Sequence, residues 1–176
     1  MSRIPSHTVD DAPEASRPIL QQIAESSPTK RPLNLHAQMA HAPAVLAAYT
    51  SLRAVTAEHG KLDAKTSWAL NLATAATIGN GYMTGIASRF ARMNGWSDAQ
   101  IVALQTGTTS GDTKIDSLAT VVREAAAHSG NVSDATWKAA LQSGCTDAEL
   151  AEAFAYLGLT LFTGYFLNYA QTEADV

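Results

Sequence analysis

Two long runs of this chain, residues 66–88 and 153–172, contain no charged side chain. About 20 apolar residues are enough to span a bilayer as a helix, so each run must be either a membrane span or a helix buried in protein. The first run holds Asn71, Asn80, three glycines and several threonines and serines; the second holds Asn168, Gln171 and three tyrosines. Neither is flanked by the Lys/Arg asymmetry that orients an inserted helix. Both are therefore expected to be core helices, apolar all round because protein surrounds them. With 176 residues, 46% of them apolar and 16% charged, the chain can bury one substantial core.

Charge and cysteine usage narrow the partners. A net charge of −4 with twelve scattered Lys and Arg leaves no basic stripe to displace counterions, so no nucleic-acid partner is expected. No basic-then-apolar leader opens the sequence. The single cysteine, Cys145, excludes an intrachain disulfide framework and fits a reducing cytoplasm. Neither a cofactor nor a metal is expected. His36 and His41 are five residues apart, on different faces of a helix, with no carboxylate at a ligand-like spacing between them.

Helix punctuation is dense and strand signals are poor, which predicts an all-α fold. Pro13 stands as a first-turn residue before Ile19, Leu20 and Ile23. Residues 26–35, with two prolines, read as a linker, dividing an N-terminal helix and linker (1–32) from the main helical domain (33–176) of one compact fold. Pro43 opens a helix that ends at Gly60, Asp63 caps another running toward Gly79, and a third covers residues 82–93 before Asn94-Gly95. Ser97-Asp-Ala-Gln100 and Thr146-Asp-Ala-Glu149 are capping boxes, in which hydroxyl and amide or carboxylate satisfy each other's orphan N–H groups. Each has an apolar staple, Trp96 with Ile101 and Cys145 with Leu150. Ser133 starts a further helix in the same style. Gly81, Gly85, Gly158 and Gly164 are expected to permit close helix contact.

The phrase Leu33-Asn-Leu-His-Ala-Gln-Met-Ala-His-Ala-Pro-Ala-Val-Leu-Ala-Ala-Tyr49 resembles the opening of carboxymuconolactone decarboxylase and alkylhydroperoxidase-D-like proteins. Gly60-Lys-Leu-Asp63, Gly95-Trp-Ser-Asp98, Gly130-Asn-Val-Ser-Asp134 and Phe162-Thr-Gly-Tyr-Phe166 are similar to later landmarks of that family, in the same order. The resemblance implies an all-helical bundle with a central helical hairpin, assembled as a trimer or hexamer. Peroxidases of the family carry a glutamate, then Cys-x-x-Cys, then a histidine. One thiolate attacks the peroxide, the glutamate and histidine relay the proton, and the second thiol resolves the sulfenic acid. In this register those positions are occupied by Trp68, Asn80, Met83 and Ala87, and only Tyr82, between the two lost cysteines, is kept. Near the C-terminus, Gly164 and Leu167 replace two asparagines of the family phrase.

The residues carry the same message without the family. Between Lys65 and Arg89 the only titratable side chain is Tyr82, and a tyrosine ordinarily ionises near pH 10. Thiol or acid–base chemistry at neutral pH has no ordinary candidate there. Three functions follow. The first is an oligomeric pseudoenzyme whose Trp68, Asn80, Tyr82, Met83 and Ala87 line an apolar ligand pocket. The second is a non-redox lyase or isomerase acting on a small hydrophobic acid through residues outside the motif, such as His41 or His128. The third is peroxidase chemistry through Cys145, at a helix N-terminus but in a staple position beside Asp147 and Glu149.

Overall fold

The computed structural model describes residues 2–27 and 29–175; Pro28, one of the two linker prolines, lies outside them. Nine helices and no strand occur among the described residues: α1 (Arg17–Ser26), α2 (Asn34–Met39), α3 (Pro43–His59), α4 (Ala64–Thr77), α5 (Gly81–Met93), α6 (Asp98–Thr106), α7 (Thr113–Ala127), α8 (Asp134–Gln142) and α9 (Asp147–Ala170). The all-α expectation holds. Two details differ from the sequence reading. Pro13 lies in a turn, and the proline in the first turn of α1 is Pro18. The stretch taken as linker runs into the short helix α2, which six residues were too few to announce by periodicity.

The chain divides into two compact units. One is made of residues up to Val55 together with Tyr165 onward; the other is Thr56–Gly164. The expected 32/33 boundary falls inside the first unit. That unit ties both ends of the chain together: Arg3 N donates to Ala170 O (2.8 Å), Thr172 Oγ1 to Gln38 Oε1 (2.5 Å) and Asn34 N to Asp175 Oδ2 (2.6 Å).

The second unit is built around α4, which contacts α5, α6 and α7. Its core joins Ala69, Leu70, Leu72 and Ala73 of α4 to Ala87 and Ala91 of α5, Leu104 of α6, Leu118 and Val122 of α7 and Leu157 of α9. Both predicted capping boxes form. Ser97 and Gln100 exchange bonds at α6, and Thr146 N donates to Glu149 Oε2 (2.9 Å) while Glu149 N donates to Thr146 Oγ1 (3.2 Å). The staple residues Trp96, Ile101, Cys145 and Leu150 are all buried. Trp96 also donates from Nε1 to Lys65 O (2.9 Å), with the Lys65 ammonium 4.5 Å above its ring.

Gly60 closes α3 without a left-handed backbone. A side chain there would collide with Thr56 O, Tyr156 Oη and Glu152 Oε1. This tight fit lets the Glu152 carboxylate accept from Lys61 N (2.8 Å) and Leu62 N (2.9 Å), which anchors the α3–α4 turn to α9. α9 is long and apolar enough to cross a membrane by length and composition, and 44% of its most apolar window is buried inside the protein.

Candidate functional site

The hairpin α4–α5 holds every residue singled out by the family register. Asp63 caps α4 by accepting from Thr66 N (2.7 Å). The hairpin turns at Gly79, whose φ of +65° lies in the left-handed region that glycine enters without a Cβ penalty. Asn80 then caps α5, its Oδ1 accepting from Met83 N (2.8 Å), while its Nδ2 donates to Gly164 O on α9 (2.9 Å). Gly164 is bare for a reason: a Cβ there would lie 2.6 Å from Ile78 Cδ1 and 3.7 Å from Asn80 Cβ. The residue at the first thiol position is thus committed to holding a helix start and a helix crossing.

Trp68 lies near the opposite end of the hairpin. Its indole stacks on Phe90, ring centroids 4.4 Å apart and planes 9° from parallel. Phe90 is 37% exposed and Trp68 half-buried, so the pair forms an aromatic shelf with one open side. Trp68 stands nine residues before the end of α4, ~13 Å along the helix axis from the Asn80 turn. Asn80, Tyr82, Met83 and Ala87, in contrast, are clustered over the first two turns of α5, all under a tenth exposed. Four of the five expected pocket residues thus lie along α5 from its cap to Ala87, and Trp68 stands on α4 with a partner, Phe90, that sequence reasoning missed. The signal was present: Trp68 and Phe90 are equidistant from Gly79, so an antiparallel hairpin turning there pairs them.

A second feature gathers polar residues of the first uncharged run on one side of α4. Ser67, Asn71 and Thr74 form a buried polar stripe along α4, and Thr160 Oγ1 on α9 donates to Asn71 Oδ1 (2.9 Å). The Thr74 hydroxyl is buried without a hydrogen-bond partner. The interior beside the hairpin is therefore more polar than the exchange of Glu, Cys and His for Trp, Met and Ala suggests.

The other candidates lie elsewhere. Cys145 is buried, its Sγ 3.7 Å from Lys114 O and 3.5 Å from Ser143 Oγ. Beside it, Glu149 pairs with Lys114 (2.8 Å), a bond that holds the carboxyl below its ordinary range and the ammonium above its own. His128 is exposed at the end of α7, Nδ1 against Glu124 O (3.0 Å). His41 joins Pro5 O through Nε2 (2.8 Å) and faces His7 Nε2 through Nδ1 (3.2 Å). His36 is buried, with Nε2 3.4 Å from Tyr49 Oη. Among the described residues no three His, Cys, Asp or Glu side chains are placed to hold a metal ion.

A helical hairpin inside an all-helical core of this arrangement defines the alkylhydroperoxidase core fold. The chain superposes with a TM-score of 0.84 on an uncharacterized peroxidase-related protein of that core from Ralstonia eutropha JMP134, at 15% identity over 99% of this chain and 92% of the other. A peroxidase-related protein from Silicibacter sp. TM1040 gives 0.79 at 12% identity, covering 100% and 96%. The debrominase Bmp8, as a cysteine-to-alanine variant in complex with 2,3,4-tribromopyrrole, gives 0.78 at 11% identity, covering 100% and 93%. Residues 43–124, from the start of α3 to within α7, match the model of the carboxymuconolactone decarboxylase family. No curated protein matches the sequence.

Proposed function

We propose that this protein is a homo-oligomeric, cytoplasmic relative of the alkylhydroperoxidase-D proteins that binds a small, flat, apolar ligand and does not reduce peroxides. The observation that carries the reading is Asn80. At the position where the resemblance places the attacking thiol stands an amide engaged at both ends, in the α5 cap and on Gly164. With Met83 and Ala87 at the other two positions of α5, no nucleophile faces a proton relay. Cys145 offers no substitute, being buried in its staple with no second thiol in the chain to resolve a sulfenic acid.

The ligand class follows from the Trp68–Phe90 shelf. Parallel aromatic planes with one open side favour a further flat ring by offset stacking, and a debrominase of the same fold holds such a ring, a halogenated pyrrole. Calorimetric titration with 2,3,4-tribromopyrrole is expected to give saturable binding that Trp68→Ala abolishes without loss of helicity. Heat that does not saturate up to the probe's solubility would end the ligand reading. Stopped-flow assay with a hydroperoxide and a dithiol reductant is expected to give no turnover above that of a generic thiol. Rapid turnover lost in Cys145→Ser would return the protein to the peroxidases.

A further inference from the structure

Two of the five histidines meet. His7 and His41 set their rings 3.9 Å apart, centre to centre, with His7 Nε2 3.2 Å from His41 Nδ1. Each ring is also engaged at its far nitrogen. Asp11 Oδ1 lies 3.0 Å from His7 Nδ1, and Pro5 O lies 2.8 Å from His41 Nε2. The carboxylate is itself fixed, because Asp11 Oδ1 also accepts from Thr8 N (2.7 Å).

The two ends of this chain assign its protons. A carboxylate and a carbonyl can only accept, so His7 donates from Nδ1 and His41 from Nε2. The gap between the rings then needs a single proton. The pair is fully bonded when it holds three protons and one positive charge, which Asp11 balances. Two neutral rings hold only two protons, and one bond of the chain is lost. A fourth proton sets N–H against N–H across 3.2 Å and places two cations ring against ring.

Few other charges bear on the pair. Arg17 donates from Nε to Ala12 O (2.7 Å), Arg3 is turned to Tyr169 O (3.2 Å), and Asp10 and Glu14 are exposed. The one titratable side chain of α2 is His36, and α3 has none before Tyr49. The bond to His7 holds the Asp11 carboxyl below its ordinary range, so the balancing charge persists in acid.

We propose that His7 and His41 form a pH-gated clasp that fastens segment 2–12 to α2 and the turn after it, and that opens when the pair takes up a fourth proton. The segment's other bonds to α2 run from His7 N to Ala37 O (3.1 Å) and from Ser6 Oγ to Asn34 Oδ1 (3.5 Å). Opening the clasp therefore lifts the segment from α2.

Hydrogen exchange read by mass spectrometry, corrected for the intrinsic rate at each pH, follows the clasp on a peptide covering residues 2–12, with α4 as the reference. Imidazoles change charge between about pH 5 and 8. Protection between pH 4.5 and 8.5 is therefore expected to pass through a maximum, falling on the acid side by up to about tenfold per pH unit. His7→Gln and His41→Gln are each expected to flatten the profile with helix content unchanged. Asp11→Asn keeps the oxygen that accepts from Thr8 N but removes the balancing charge, so both limbs of the profile should move to lower pH. Protection that is flat, or that changes in one direction only, overturns the clasp. So does a maximum that survives in either glutamine variant, or limbs that Asp11→Asn leaves in place.

Discussion

Burial pushes the His36 imidazole down to a pKa of about 4, with the nearby Arg53 charge lowering it further and Asp175 opposing. The neutral ring is satisfied only in part, for Nδ1 is buried without a hydrogen-bond partner. Unfolded, the same histidine titrates near 6.5, so between pH 6.5 and 4 the unfolded chain binds more protons and stability falls as pH falls. The full difference corresponds to about 3 kcal/mol, lost across that window and constant below it. Urea midpoints for wild type and His36→Gln are expected to diverge between pH 7 and pH 4, the variant showing the shallower slope. Parallel slopes would mean that His36 protonates freely in the folded state. Asn80 yields a second expectation at this scale. Asn80→Cys removes a side-chain cap and the amide's added bond to Gly164 O, which should cost about 2 kcal/mol while restoring no peroxide reduction. Thermal unfolding reads the first outcome and a peroxide assay the second.

Helix ends were legible where side chains cap them, because a cap is a local bond between residues three apart. Asp63, Ser97, Ser133 and Thr146 all perform as their spacing predicts. What local spacing cannot express is who stands across the interface. Gly60 reads as a conventional helix stop, yet its role is to let α9 approach. Gly60→Ala would force a methyl into Tyr156 Oη and Glu152 Oε1 and weaken the carboxylate's hold on the turn, an expected loss of 2 kcal/mol or more by the order of magnitude for overpacking. Gly85→Ala, on the exposed side of α5 with nothing within 4 Å, is expected instead to gain about 0.5–1 kcal/mol from helix propensity. Chemical denaturation of the two variants checks the contrast, and equal effects would contradict it. The same limit explains the candidate site. Trp68, Asn80 and Met83 could be found in the sequence, but the hydrogen bond that Asn80 donates to Gly164 O joins residues 84 apart.

At the scale of the molecule, the all-helical class was legible because two uncharged runs and a series of caps point the same way. The grouping of helices into two units was not, since it depends on long-range contacts that no local pattern encodes. The placement of the indoles has an experimental consequence. Trp68, Trp96 and Trp137 all belong to the Thr56–Gly164 unit, and the other unit has no tryptophan among its residues. Indole emission therefore watches one unit alone, whereas far-ultraviolet dichroism watches every helix. Because α3 and α9 each run unbroken through the division, the two signals are expected to trace one melting curve. Separate midpoints would reveal independent melting. The three indoles also differ in depth, with Trp96 sealed, Trp68 shelved against Phe90 and Trp137 at the surface of α8. Iodide should quench the last most readily and the first least, giving the protein a graded set of native fluorophores that needs no label.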